Sequence, residues 1–516
     1  MHRKLTVLIL AAAVAAFYCC TAVAEDVAPT PAPTASEYSK EFLDKVKQRI
    51  SKFRMKYKDA QAVAAKSKNG DAMAQVVRDY LKPVDHPDII DEVLNAMNAT
   101  NDGLVQEAGA FVLASVTDNC LDYLIAKGAR VGKPQTRAIV IEGIARGDKA
   151  TAFAVFCELL KDDKEPEIVR ASCARALGIL KDARGVNVLV SVENDKSELL
   201  KLALIDACLQ FQDDISAQCI AGLINDDSSW KIRAAAIDAS IKRKNTYAVG
   251  YLIVRLRKEQ GRLFGDVLKA LKAITGIWKG ENINAWEEWF KTSEYAKSGK
   301  IELTPRKDVP GNYNTITYHG IRTHSKNIVF IIDRSESMRE KCDPKALKGD
   351  YTTPDQKFTG DTRISLVQWE LKRTIVKLDK NCSFNMISFS TDVRVWKTKS
   401  VFATDENKGT AVNWVNALSP DGRTNTWGAF LAAYGCKSFG SGKFGTNPMG
   451  DTIFLLTDGD PNEGELDDPD EIAAGVAELN RYNHIAINCI AVGRFNKAFL
   501  QKLAADNGGE FMDLGD

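Results

Sequence analysis

The chain has 516 residues, more than one hydrophobic core usually holds, so we expect two or three folded units. Its 69 Lys and Arg residues nearly cancel its 68 Asp and Glu residues. This balance creates no overall field that favours nucleic acid or an anionic membrane, and we expect no nucleic-acid partner.

The first 24 residues have the pattern of a secretion signal. Basic residues at positions 2–4 precede an apolar run over 5–17, and small residues at 22–24 suit signal peptidase. The run is shorter than the ~20 residues that cross a bilayer, so a permanent anchor is the weaker interpretation. No later stretch is long and apolar enough to span a membrane. We therefore predict an exported protein, periplasmic or extracellular, without a membrane span after cleavage.

A helical region follows the signal. Residues 25–38 are rich in Pro, Ala and Thr and predict an extended linker, whereas the composition of residues 39–297 favours helices. Between about 88 and 276 a polar residue returns every 31 to 33 residues near the start of an apolar helix. These positions are Gln106, Arg137, Arg170, Lys201 and Arg233.

Aligning the helices on these positions brings their apolar residues into register. Branched residues coincide at Val169, Leu200 and Ile232, and small ones at 176, 207 and 239. Such units cannot bury their apolar faces alone and must stack on one another.

The stretch EPEIVRASCARALGILKDARG (residues 165–185) resembles the HEAT-like repeat family. The resemblance implies a curved α-helical solenoid, with an irregular helical bundle as the alternative. A short helix with Trp286 and Trp289 on one face is expected to cap its end. A solenoid of this kind typically presents an extended face to another macromolecule.

The last part of the chain changes its periodicity. Residues 298–322 lose helical spacing and gain Pro and Gly, which predicts a linker. Over 323–516 apolar strands alternate with helices, beginning with the run at 327–332. This rhythm predicts an α/β doubly wound, mostly parallel sheet of Rossmann-like type with helices on both faces. Ligands bind beyond the carboxyl ends of the strands in such sheets.

Polar residues gather at those predicted strand ends, at 333–338, 421–426 and 457–459. There the sequence resembles the von Willebrand factor A family, with D-x-S-x-S, a Thr in a Gly-containing loop, and T-D-G in the expected order. The resemblance implies that family's fold and a metal-ion-dependent adhesion site, in a secreted protein of bacterial type. The ligands that it implies are Asp333, Ser335, Ser337, Thr424 and Asp458.

The residue types agree with this set. Two carboxylates and three hydroxyls offer only hard oxygen atoms, which suit Mg²⁺, and Mn²⁺ can substitute. Zinc would call for His or Cys, and none occurs in the three motifs. With few direct carboxylates the ion stays electrophilic, so an acidic side chain from a partner protein can complete its shell.

Two features depart from the family pattern. Arg423 stands before the motif Thr, where the family usually has a small residue, and residues 339–363 form a long insertion after the first motif. Either can shape metal affinity or specificity.

The sequence thus predicts an exported interaction or adhesion protein, not an enzyme, that binds an acidic protein ligand through Mg²⁺. The helical repeats supply a second binding surface. Two alternatives remain. One is a metal-dependent hydrolase of unrecognised type, against which the absence of a general base in the motifs counts. The other is a purely structural scaffold.

Overall fold

The computed structural model describes residues 38–67, 70–100, 102–297, 315–343, 347, 358–438, 446–493 and 495–515. The predicted signal and residues 25–37 of the predicted linker after it lie outside this set.

The first part of the described chain is a series of helices, with short π or 3₁₀ turns at Ile125–Ala129, Ala150–Ala152 and Glu294–Lys297. The helices are α1 (Lys40–Ser67), α2 (Asp71–Leu81), α3 (Pro87–Asn98), α4 (Gly103–Leu113), α5 (Asp118–Leu124), α6 (Pro134–Arg146), α7 (Phe153–Lys161), α8 (Glu167–Leu180), α9 (Gly185–Val190), α10 (Glu198–Cys208), α11 (Asp214–Leu223), α12 (Trp230–Arg243), α13 (Ala248–Leu256), α14 (Arg262–Thr275) and α15 (Ile283–Thr292).

The helices of this array pack through the residues that the repeat alignment placed in register. Val169, Leu200 and Ile232 are completely buried. Small residues let neighbouring backbones approach, since a Cβ built on Gly178 of α8 would lie 2.7 Å from the Cα of Ala207 in α10. The stacked helical region predicted from the period is confirmed.

The polar residue that marks each repeat has a structural role. In four of the five positions its side chain forms an ion pair with an acidic residue 25 to 28 positions later, in the connection that leads into the next repeat. These pairs are Arg137–Glu165, Arg170–Asp195, Lys201–Asp226 and Arg233–Glu259, at 2.6 to 2.8 Å. Gln106 instead donates to the carbonyl oxygens of Met97 and Thr100, just before its own helix. In these four repeats the recurring position therefore ties one repeat to the next.

The array ends at α15. Trp286 is fully buried and its indole donates to the carbonyl oxygen of Gly280 at 2.9 Å. Trp289 meets it edge to face, with ring centroids 5.7 Å apart. The two tryptophans pack together at the end of the helical core.

The structure differs from the predicted linker at its end. Residues 298–314 lie outside the described set, but β1 (Ile316–Tyr318) and β2 (Ile321–Thr323) form an antiparallel hairpin. Tyr318 packs edge to face on Phe330 and Phe454, with centroids 5.1 and 5.5 Å away. The Pro and Gly content masked this hairpin, whose tight turn uses positive φ angles at positions 319 and 320.

The second part is an α/β domain. Its strands are β3 (Asn327–Asp333), β4 (Ser383–Phe389), β5 (Val393–Val395), β6 (Val401–Phe402), β7 (Thr452–Thr457), β8 (Ala486–Ala491) and β9 (Phe511–Asp513). Its helices are α16 (Arg363–Lys377), α17 (Asp405–Asn416), α18 (Thr426–Tyr434), α19 (Pro469–Asn480) and α20 (Lys497–Asp506), with a 3₁₀ turn at Glu336–Arg339. The sheet has the order β5-β4-β3-β7-β8-β9, and β6 pairs with β4. Only β5 and β6 run antiparallel to β4 among these described strands, so the mostly parallel sheet is confirmed.

Alternate residues of the central strands enter two different cores. Val329 and Ile331 of β3 face a core with α18, α19 and α20. Ile328 and Phe330 face the opposite core with α16, α17 and the hairpin. Helices therefore cover both faces of the sheet, which is why β3 is an unbroken apolar run.

The array packs against the amino-terminal edge of this sheet. Arg262 of α14 donates to the carbonyl oxygen of Asp451 at 2.8 Å and to that of His484, just before β7 and β8 begin. Arg175 of α8 also contacts the hydroxyl of Tyr482 at 3.3 Å. The carboxyl ends of the strands, where the sequence motifs lie, are at the opposite edge.

Across the described ranges, none of the helices combines the length and the apolar character that a membrane crossing requires.

Candidate metal centre

The topology of the sheet brings two of the three motifs together. Strand β3 ends at Asp333 and its neighbour β7 ends at Thr457, and the two run parallel in register. After β3 the chain turns to β4 on one side, and it later returns to β7 on the other. The strand ends therefore flank a switch point, where doubly wound sheets bind their ligands.

The first and third motifs are joined by hydrogen bonds. The carboxylate of Asp333 accepts from the amide of Ser335 at 2.7 Å and from the hydroxyl of Thr457 at 2.6 Å. The Oγ atoms of Ser335 and Ser337 lie 3.1 Å apart, and Ser337 donates to Asp458 Oδ1 at 2.7 Å. Four of the five predicted ligands thus form one connected group.

The fifth, Thr424, reaches the same place from the loop between α17 and α18. A Cβ built on Gly459 would lie 3.7 Å from Thr424 Oγ1 and 3.8 Å from Ser337 Oγ. The loop is held there by Asn462, whose side chain accepts from the Thr424 amide at 2.9 Å and whose amide donates to the Thr424 carbonyl at 3.1 Å. The Gly of the T-D-G motif leaves space between these hydroxyls that a side chain would fill.

Both carboxylates are almost completely buried, at 0% and 1% exposed. Burial, with the nearby charge of Asp458, raises the pKa of Asp333 to about 6. Burial also raises the pKa of Asp458, although hydrogen bonds from Ser337 and Arg363 oppose it. Two buried carboxylates are costly to ionise side by side, and a cation between them removes that cost.

The residues present fit a hard divalent cation. They offer carboxylate and hydroxyl oxygens, an open space above Gly459 and buried negative charge. In the described part of the chain, no three His, Cys, Asp or Glu side chains are arranged to hold a metal. The hydroxyls would therefore be needed as ligands here.

Arg334, inside the first motif, is a residue that the sequence analysis did not single out. It is fully buried and forms ion pairs with Asp392 and Asp421 from two other loops. Burial opposes ionisation of Asp392, but hydrogen bonds from Arg394 and Arg334 lower its pKa to about 2. Arg334 therefore ties together the loops around the site, and the only signal in the sequence is a charged residue directly after a buried strand.

Arg363 was also missed as part of the site. It is buried, and its Nη1 lies 3.0 Å from Asp458 Oδ2 while its Nη2 lies 2.9 Å from Glu340. Its 95-residue separation from Asp458 gives no local pattern that could have revealed the pair.

Arg423 and the two ends of the insertion lie among the described residues. Arg423 is mostly exposed and its guanidinium lies 3.4 Å from Glu463. The two ends of the insertion are paired through the backbone. The amide of Cys342 donates to the Asp361 carbonyl at 2.9 Å, and the amide of Arg363 donates to the Glu340 carbonyl at 3.0 Å. Residues 344–346 and 348–357 of the insertion lie outside the described set.

The fold and the site define a doubly wound α/β domain with a group of oxygen donors at its switch point, preceded by stacked helical repeats. Residues 327–516 match the family model of the von Willebrand factor type A domain, and residues 121–208 match that of HEAT repeats. The C-terminal part of this chain is therefore a von Willebrand factor type A domain preceded by HEAT repeats.

Relatives with similar sequences match the same part of the chain. Inter alpha-trypsin inhibitor, heavy chain 4, from Mus musculus is 32% identical over 189 residues, which are 36% of this chain and 18% of that protein. Human von Willebrand factor A domain-containing protein 3B is 26% identical over 193 residues, or 37% and 12%. The chain thus spans less than a fifth of the length of these relatives.

Solved structures with similarity include a von Willebrand factor type A protein from Catenulispora acidiphila, 20% identical, with a TM-score of 0.28 over 38% of this chain and 40% of that one. Another is proximal thread matrix protein 1 from the mussel byssus, in which zinc occupies the metal-ion-dependent adhesion site (MIDAS) motif. It is 18% identical, with a TM-score of 0.26 over 37% and 43% of the two chains.

Proposed function

We propose that this chain is an exported interaction protein that binds an acidic side chain of a partner protein through Mg²⁺. The ion would be held by Asp333, Ser335, Ser337, Thr424 and Asp458. The observation that supports this is the convergence of five oxygen-bearing side chains from three loops at the carboxyl edge of the sheet. Protein binding is also the activity for which von Willebrand factor type A domains are known.

The bound ion would supply a Lewis-acidic position for a carboxylate oxygen of the partner, and Mn²⁺ can take its place. The side chains have separate tasks. Asp333 and Asp458 provide the negative charge, whereas the three hydroxyls add donors without further charge. An ion with two carboxylate neighbours keeps affinity for a third carboxylate, which is the physical basis of the proposed recognition.

The proposed roles of the two carboxylates favour binding over catalysis. Each oxygen of Asp333 and Asp458 accepts one hydrogen bond from a protein donor and keeps a second lone pair that a cation can use. Because this proposal gives both carboxylates to the ion, we assign neither as a general base. The chain acts as a binding protein in this proposal.

Export and the use of the array complete the proposal. Export depends on residues 1–24 acting as a signal. A linker over 25–38 and the repeats over 39–297 would follow, then a linker that ends before the hairpin at 316–323, and the α/β domain up to 516. The array lies at the amino edge of the sheet and the candidate centre at the carboxyl edge. A second partner on the array would therefore not compete for space at the metal centre.

Titration calorimetry of the full chain with Mg²⁺, then Mn²⁺, tests the site. Asp333→Ala should weaken binding at least about 100-fold, because changing even a residue behind the ligands typically costs 10- to 100-fold. Asp405→Ala is the matched control, since Asp405 is an exposed carboxylate at the start of α17. Equal binding by wild type and Asp333→Ala would refute the assignment.

Recognition of an acidic partner needs a second measurement. Two peptides that differ only by one Glu or one Gln are compared on the Mg²⁺-loaded chain, with and without chelator. The proposal requires tighter binding of the Glu peptide that chelator removes. Binding that depends neither on the Glu or Gln of the peptide nor on chelator contradicts the proposal.

A further inference from the structure

Arg363 places a positive charge inside the candidate centre. Its side chain is 3% exposed and lies 3.0 Å from Asp458, whose side chain is completely buried. It also pairs with Glu340, which is 62% exposed and lies 2.9 Å away. The guanidinium thus joins a buried site carboxylate to a carboxylate in contact with water.

The surrounding chain makes room for this guanidinium. Gly493, directly after β8 and Val492, has φ +75°, and a Cβ built there would overlap the Arg363 guanidinium. The backbone amide of Arg363 donates to the Glu340 carbonyl at 3.0 Å, which fixes the start of α16 next to the site. A buried arginine held from both sides has little freedom to withdraw when another cation approaches.

We propose that Arg363 is a built-in counter-ion of Asp458 that competes with the divalent cation and sets how tightly the site binds it. This inference rests on the proposed function, because it concerns the same centre. When no divalent ion is bound, the guanidinium neutralises Asp458. When one is bound, the two positive centres share that carboxylate and repel each other.

The two carboxylates next to Arg363 should influence the ion differently. Asp458 is shared with the ion, whereas Glu340 faces water and only offsets part of the arginine charge. Charges in a buried site interact much more strongly than charges in water. Removing the arginine charge should therefore tighten cation binding, and removing the Glu340 charge should loosen it.

A purely structural role for Arg363 predicts a different sign. If the arginine served only to orient Asp458 as a ligand, its loss would misplace a donor and weaken binding. Outer-shell residues that orient ligands behave in this way, costing 10- to 100-fold in affinity. The direction of the change therefore separates the two roles.

The test is Mg²⁺ titration calorimetry of the full chain, with melting temperatures measured in chelator and in saturating Mg²⁺. Arg363→Gln should bind Mg²⁺ at least about tenfold more tightly, because a like charge next to the ion is lost. It should also melt at a lower temperature in chelator, with a larger recovery on adding Mg²⁺. Glu340→Gln should bind about threefold more weakly. Arg373→Gln removes an arginine of the same helix, paired with Glu370, and should leave the affinity unchanged.

Unchanged or weaker Mg²⁺ binding by Arg363→Gln would overturn the inference. If that variant does not fold, Glu340→Gln decides alone, and unchanged or tighter binding by it has the same consequence. Failure of the metal site itself would appear separately, as equal affinities of wild type and Asp333→Ala.

Discussion

The helical array and the α/β domain achieve their stability in different ways. The array repeats one arrangement, in which an apolar seam buries positions such as Leu200 and an ion pair such as Lys201–Asp226 ties one repeat to the next. In the α/β domain, by contrast, each core contact joins a different set of elements. Phe330, Tyr318 and Phe454 come from different elements and meet at a single place in the core.

From this difference we infer how far the effect of a destabilising substitution should extend in each region. In a repeat array each unit contacts mainly its neighbours, so a defect is expected to stay local. In the α/β domain the strand that carries the aromatic core, β3, also ends at Asp333. A defect there should reach the candidate centre as well.

The largest effect is expected for Phe330→Ala. Phe330 is fully buried, and its ring lies 5.8 Å from that of Phe454 and 5.1 Å from that of Tyr318. Removing a buried aromatic ring typically costs about 3–5 kcal/mol. Native-state hydrogen exchange should show this loss at the amides of both β3 and β7, together with weaker Mg²⁺ binding.

Phe402→Ala is the control for that experiment, because Phe402 is 62% exposed. Its opening free energies should stay within about 0.5 kcal/mol of wild type. If Phe330→Ala affected β3 alone and left β7 protected, the view of the α/β domain as one cooperative unit would be wrong.

The next effect concerns pH. His319 is buried in the hairpin turn, and burial, assisted by the charge of Arg373, lowers its pKa to about 3. An unfolded chain has a histidine pKa near 6.5, so between these values only the unfolded state takes up the proton. Stability is therefore lost as the pH falls below about 6.5, by roughly 3 kcal/mol at pH 4.

His319→Asn isolates this contribution, since Asn tolerates the positive φ of 45° at this position. Denaturant unfolding of both proteins at pH 7, 5.5 and 4 cancels the other titrating groups in the difference. The variant should lose less stability than wild type on acidification. Parallel pH profiles would show that His319 is protonated equally in both states.

The smallest effect is expected in the array. Gly178→Ala places a Cβ 2.7 Å from the Cα of Ala207, and overpacking of this kind costs about 1–3 kcal/mol. Hydrogen exchange should increase in α8 and α10 and stay unchanged in α2 and α3.

Gly222→Ala is the matched control, because a Cβ on this helical glycine meets nothing within 4 Å. It should stabilise α11 by about 0.5–1 kcal/mol. If Gly178→Ala opened the whole array, the repeats would not act as neighbour-coupled units.

Much of this architecture was open to prediction because its signals are local. The period near 32 residues predicted the stacked helices, and the alternation of apolar runs with helices predicted the mostly parallel sheet. The hairpin at 316–323 was missed because a few residues rich in turn formers do not show that Tyr318 enters a distant core.

What the order of residues determined by itself is most of the elements and the candidate ligands, because periodicity and short motifs depend on neighbours in the chain. What only the tertiary structure decided is which distant charges meet. Asp458 lies 95 positions from Arg363, and Arg334 lies 58 and 87 positions from its two acidic partners. No pattern of neighbours encodes such pairs, since they arise when the sheet brings its loops to one edge.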